Sequence, residues 1–392
     1  VTTGSVTIPM MKKTGYPGEF AGAVEAAAST GGQIMPPIMG AAAFIMAEMT
    51  GFEYSKIIVR AILPAFLYFL GIFLGVHFKA KKLGLKGLPR EELPKWGKLL
   101  PKIYLLLPLV LLVYMIVSGQ TMAKSAIYAT IAAIAVSLIN KDDRMTPTKF
   151  VNGLENGGKN CISIGIACGI AGIISVCITM TGLGGKLITY VVSLSNGHLI
   201  IALFLTMICC IVLGMGVPTT ANYIIMASTC APILINGMGM HVLAANMFVF
   251  YFGIVADITP PVALAAYAGS AIAKAPPMKT AFNATRLAIA AFIIPYIFAF
   301  NNAMIFVGDD VTVWSVASIT ISATLGMLSI ASGLMGYLIH DLKWISRIAL
   351  IAGGLLMIIP GTVSDLAGFA VLAAIFVLQT IENKKEKKAA SV

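Results

Sequence analysis

Two short strings in this chain combine backbone breakers with hard oxygen donors. One is Leu213-Gly214-Met215-Gly216-Val217-Pro218-Thr219-Thr220-Ala221-Asn222; the other is Asp257-Ile258-Thr259-Pro260-Pro261. Both lie in apolar stretches, and a double proline removes amide donors and clashes with the preceding turn, so it breaks a helix. Carbonyls released at Gly214, Gly216, Val217 and around Asp257, with the hydroxyls of Thr219, Thr220 and Thr259, would make an oxygen set suited to a small cation. Thr259 before Pro260 reads as a cap and first-turn pair, and Thr219 reads the same way, so positive helix ends should face both breaks. Such ends suit a carboxylate. Asp257 is nearly the only acid deep in an apolar span, a place that marks function in membranes; its bland alternative is a cap at a break near the surface. A second double proline closes Gly31-Gly32-Gln33-Ile34-Met35-Pro36-Pro37 near the start.

The elements that must position these residues are set by composition. Hydrophobic residues make up 58% of the 392 and charged residues 11%, against roughly a quarter charged in a soluble domain. The chain reads as an all-α polytopic membrane protein. Its net charge of +11 invites nucleic acid, but the basic residues sit in short runs between apolar spans, where they act as topology signals. Six cysteines within apolar stretches and four scattered histidines support neither a disulfide framework nor a zinc site. The histidines sit at span ends and read as structural, and Arg60 reads as snorkelling to the interface rather than meeting an anion.

Apolar segments are expected at 34–50, 57–77, 101–118, 122–140, 161–181, 199–213, 218–236, 241–257, 260–273, 281–300, 312–338, 346–360 and 365–381. The basic stretch Lys79 to Lys102 goes to the cytoplasm, and spans 101–118 and 122–140 return there at Lys141, Arg144 and Lys149. Residues 186–196 read as a short arm on the outer surface. The tip at Gly214–Asn222 is small and breaker-rich, unlike the charged loops, so 199–236 is expected to be a re-entrant hairpin. The acidic Asn301 to Asp310 loop then falls outside and the tail Lys384 to Lys388 inside, with only Lys56, Arg60 and Lys186 against the basic bias.

The interval from Thr2-Thr3 to Pro36 roughly equals that from Thr219-Thr220 to Pro260. Each half would then run from a hairpin arm through a half-helix, a double-proline break and a second half-helix to a full span, in opposite orientations. This is the pattern of an inverted repeat, with the binding site at the breaks. The expected division is 1–78 for the second part of the first repeat, 79–156 for a basic loop and scaffold helices, 157–300 for the second repeat, and 301–392 for a three-span extension with a basic cytoplasmic tail.

At Leu213–Tyr223, Phe248-Val249-Phe250-Tyr251-Phe252-Gly253, Ile258–Tyr267 and Gly31–Pro37 the sequence resembles the large membrane subunit of tripartite ATP-independent periplasmic transporters, in the TAXI-type fused permease group. The resemblance covers residues 1 to about 300. It implies an elevator-type transporter of the ion transporter superfamily in a bacterial or archaeal inner membrane, energised by a sodium gradient and carrying small organic anions such as dicarboxylates or glutamate-like acids. It further implies a soluble periplasmic TAXI-type binding protein and a small membrane subunit as partners, with sodium as coupling ion and no other cofactor. Gly32, Pro36, Pro37, Asn222, Pro260 and Pro261 are the expected substrate contacts. Under this resemblance the tip of the first hairpin would precede Val1, so the chain reads as N-terminally truncated. No ATP-binding P-loop occurs. The competing readings are a stand-alone sodium/divalent-anion symporter and, more remotely, an intramembrane aspartyl protease using Asp257 and Asp365, around which no Gly-x-Gly-Asp string stands.

Overall fold

The computed structural model describes residues 3–87, 96–139, 144–308, 311–359 and 361–389. Val1, Thr2, Arg90, Lys95, Lys141 and Asp310, all used in the topology argument, lie outside that description. Among the described residues the chain is helical nearly throughout, with one isolated bridge, Tyr337 to Asp341, as its β-type pairing.

The first helices are α1 (Gly4–Lys13), α2 (Gly18–Gly31), α3 (Ala41–Thr50) and α4 (Tyr54–Lys82), followed by α5 (Trp96–Leu99), α6 (Leu107–Val117) and α7 (Met122–Ile139). The middle holds α8 (Pro147–Met180), α9 (Leu183–Ser195), α10 (Leu199–Gly214), α11 (Thr219–Thr229) and α12 (Val242–Val255). Then come α13 (Leu264–Ala273), α14 (Pro277–Leu287), α15 (Ile289–Phe300), α16 (Val313–Met335), α17 (Trp344–Leu356) and α18 (Thr362–Ala389).

Among the described residues five segments are long and apolar enough to cross a bilayer: Tyr54–Lys82, Leu100–Val117, Pro277–Phe300, Val313–Met335 and Thr362–Glu382. At 29 residues α4 is about 43 Å long, more than the roughly 30 Å of a hydrocarbon core. A helix satisfies its own backbone in lipid, so such runs fold this way and the chain is a multi-pass membrane protein. α12 is apolar all round and buried from Leu243 to Val255, which puts it at the centre of the bundle. Its Phe250 meets Tyr223 of α11 edge-on with ring centroids 5.7 Å apart, and Phe248 packs on Tyr296 of α15 at 5.6 Å.

The two double prolines interrupt matching elements. α2 and α12 have 14 residues each, and α3 and α13 have 10 each. The third residue after each first proline, Met39 or Ala263, has a positive φ of 52° or 34°, and both Pro-Pro peptide bonds are cis. α3 ends at Gly51 with φ 72° and α13 at Lys274 with φ 52°, and three residues separate each from the next helix. α3 packs on α11, while α13 packs on α1. α2 crosses α13 where Gly22 meets Gly269: a Cβ on Gly269 would stand 2.7 Å from the Gly22 carbonyl oxygen. Small residues allow that approach, as they do between helices in lipid.

The expected cap at Thr259 is overturned. α13 begins at Leu264 with Ala263 before it, and the Thr259 hydroxyl donates instead to the Val255 carbonyl at 2.6 Å, closing the turn behind it. The reason is local: a proline disfavours the helical region for the residue before it, so Pro261 keeps Pro260 out of a first turn. Thr219 is likewise not a cap. Pro218 occupies that place in α11, with Thr219 and Thr220 as the first two helical residues and no side-chain cap bond.

Outside this core, α6 and α7 pack on each other and present mostly exposed apolar side chains. α16 runs against α4 and α17, and α17 against α18. Lys82 at the end of α4 reaches the carbonyl of Gly336 at 3.4 Å and the Asp341 carboxylate at 3.2 Å, tying the final helices to the core.

Candidate functional site

The tip between α10 and α11 is a chain reversal of four residues. Gly216 has a φ of 75°, a left-handed conformation that glycine adopts without cost, and Pro218 then sets up the start of α11. Three residues into that helix, Asn222 turns inward and is fully buried. Its Nδ2 donates to the Gly253 carbonyl of α12 at 3.1 Å. Gly214 closes on the same spot: a Cβ there would lie 2.7 Å from Asn222 Nδ2 and 2.9 Å from the Cβ of Ala256. Any side chain at 214 would push α10 away from the 3-10 turn Ala256–Ile258 that carries Asp257. The structure therefore brings Gly214, Asn222 and the Asp257 turn to one junction.

Asn222 Oδ1 is buried and accepts no hydrogen bond. Because Nδ2 donates to a carbonyl, the orientation of the amide is fixed by its partner: the nitrogen lies on the Gly214 and Gly253 side, and Oδ1 is left as an acceptor without a partner. Buried acceptors without a partner are rare and costly.

Other carbonyls at the second break are already engaged. The Ile258 carbonyl accepts from the Thr285 hydroxyl at 3.0 Å, and the Pro261 carbonyl from the Tyr267 hydroxyl. Asp257 and Thr259 are half-buried and Pro260 is half-buried beside an exposed Pro261. Gly216 is exposed, and Val217, Thr219 and Thr220 are half-buried along the tip.

The first break is a separate loop. Gly32 is exposed, and Pro36 and Pro37 are half-buried. Tyr54, at the start of α4, donates to the carbonyls of Pro37 at 3.0 Å and Ile38 at 2.8 Å, so that loop is tied back to the following helix. α3 behind it packs on α11 and α12, while α2, which leads into this break, packs on α13 and on the 3-10 turn that carries Asp257. Asp365 does not join Asp257: it sits in the first turn of α18 and accepts from Ser322 of α16 at 2.5 Å.

One polar cluster escaped the sequence reading. The Glu25 carboxylate on α2 accepts from the hydroxyls of Thr3, of Thr7 at 2.5 Å and of Ser29 at 3.3 Å. The available signal was the four-residue spacing of Thr3 with Thr7 and of Glu25 with Ser29, which puts each pair on one helix face.

Taken together, breakers at both ends of α10–α13, a buried oxygen without a partner and a half-buried acid form a polar junction inside a membrane bundle. No metal-type cluster of histidine, cysteine and acid side chains occurs among the described residues. No curated protein matches the chain. Residues 1–309 match the family model described as "Tripartite ATP-independent periplasmic transporter, DctM component", and the chain belongs to that family, the large membrane permease of TRAP-type secondary transporters.

Proposed function

We propose that the chain couples inward sodium movement to uptake of a small organic anion, a dicarboxylate or glutamate-like acid. The observation that carries this reading is Asn222, buried against Gly214 at the junction with the Asp257 turn and left with an Oδ1 that accepts no hydrogen bond. An acceptor-only oxygen repels a carboxylate and attracts a cation, so Asn222 joins Gly214, Gly216, Val217, Thr219, Thr220, Asp257 and Thr259 on the sodium side of the site. Sodium bound there would neutralise Asp257 and lower the cost of holding that acid in the membrane. Gly32, Pro36, Pro37, Pro260 and Pro261 shape the backbone around the substrate.

The matched lengths of α2 with α12 and α3 with α13, and the exchange of α3 onto α11 and α13 onto α1, support an inverted repeat moving as an elevator. The mutually packed α6 and α7 suit a static support. In this reading the permease lies in the inner membrane with its basic tail in the cytoplasm. It works with a small membrane subunit and receives its anion from a TAXI-type periplasmic binding protein. The test is uptake into proteoliposomes holding the complete permease, with and without the purified carrier, under an inward sodium gradient. Uptake that needs both sodium and the carrier is expected. Equal rates with potassium in place of sodium would reject the coupling, and equal rates without the carrier would reject the tripartite reading.

A further inference from the structure

Arg60 lies on α4, about a turn and a half past Tyr54, and its Nη1 is buried without a hydrogen-bond partner. Its guanidinium stands 5.6 Å from the Phe52 ring, whose other neighbour is His241 at 5.9 Å. In front of it lies a shallow cavity of about 360 Å³, lined with Arg60 by Glu53, Ser55, Lys56, Val59 and Phe306. Among the described residues, charge around the cavity does not balance. The Glu53 carboxylate is held by Lys56 at 3.3 Å and is not free to serve as the counter-ion of Arg60, and the neighbouring His241, whose Nδ1 accepts from the Leu243 amide at 3.1 Å, has no negative charge to offer. A desolvated guanidinium nitrogen is costly, and a cation–π contact at this distance repays only a small part.

We propose that Arg60 and this cavity form a binding site for one oxyanion group, a carboxylate or a phosphate. Guanidinium is suited to it, because its planar fork meets two oxygens at once. The cavity is within the range of small-ligand pockets. Phe306 belongs to the 301–310 loop, which the basic-residue bias puts on the outer face, and the placement of this site there rests on the functional reading above. An oxyanion reaches that face from two sources: the organic anion leaving its soluble carrier, or the headgroup of an anionic lipid.

Both sources are tested on the full permease in nanodiscs, without carrier or sodium gradient. In phosphatidylcholine discs, succinate binding is followed by titration calorimetry; in discs doped with phosphatidylglycerol, retained lipid is counted by native mass spectrometry. One arm should give saturable binding of one ligand per chain. Arg60→Gln should weaken it at least about tenfold, as loss of a charged hydrogen bond does, with partial recovery in Arg60→Lys. Should Arg60→Gln fail to fold, Val59→Trp, which fills the cavity from an exposed position and leaves the guanidinium, should produce the same loss. Wild-type binding in neither arm, or binding unchanged by these variants, overturns the proposal. Because the readout is equilibrium binding, its failure is separable from a failure of sodium-driven, carrier-dependent uptake.

Discussion

Three residues before Pro36 stands Gln33; three before Pro260 stands Asp257. One residue before each first proline the pair is Met35 and Thr259. The two breaks thus share a backbone course, with helices of equal length and a positive φ at Met39 and Ala263, yet one offers a neutral amide and a thioether where the other offers an acid and a hydroxyl. Each is also braced by a tyrosine, Tyr54 in the first and Tyr267 in the second. The lesson is that the fold repeats the opening while the chemistry is placed in one copy. Charge is expensive in a membrane, and under the proposed sodium coupling a single acid at the second break would serve the cation.

The comparison breaks most sharply at the acid. Asp257→Asn should lower apparent sodium affinity by about tenfold to hundredfold, the value of a charged contact of roughly 1.5–3 kcal/mol, while Gln33→Ala changes it less than about threefold. Sodium dependence of uptake by each variant reads this directly. A larger effect at Gln33 would reverse the assignment of the two breaks.

A middle-sized effect separates helix crossing from loop. Gly269→Ala forces a methyl to 2.7 Å from a backbone oxygen of α2, so it should destabilise by about 1–3 kcal/mol. Gly40→Ala, where a Cβ meets only the Gln33 side chain at 3.5 Å and beyond, should stay within about 0.5 kcal/mol. Thermal unfolding in detergent distinguishes them, and equal midpoints would mean that α2 and α13 do not approach as closely as described.

The smallest effect concerns the braces. Tyr54→Phe removes the donor to two carbonyls in a buried setting and should cost about 1 kcal/mol. Tyr267→Phe, at a more exposed hydroxyl serving one carbonyl, should cost less. The same unfolding measurement ranks the pair, and a larger loss at Tyr267 would show the second break to be the more rigidly held.

Much of this was legible in the sequence because apolar runs of membrane length have few alternatives to a helix. The run 199–213 becomes α10 at Leu199–Gly214, and 312–338 becomes α16 at Val313–Met335. Hydropathy could not show that 281–300 is reached through two helices meeting at Ala288; α2, whose apolar signal Glu25, Ser29 and Thr30 dilute, is legible only through the repeat, which calls for a half-helix ahead of Pro36. The Thr259 cap failed on a rule of the dipeptide that follows it, where Pro261 governs Pro260. Asn222 was visible as a residue of the tip, but its role depends on Gly253, 31 positions away, which only packing reveals. Arg60 reads as a snorkelling cation from the sequence for the same reason: besides the nearby Phe52, its surroundings include His241 and Phe306 from two distant segments.

The central claim, that the second break holds the coupling cation, is tested most directly by equilibrium binding of radioactive sodium to the purified permease at constant ionic strength. The account predicts saturable binding in the wild type, retained in Gln33→Ala and lost or weakened at least about tenfold in Asp257→Asn. Absence of saturable binding in the wild type, or equal binding in the wild type and Asp257→Asn, would contradict it.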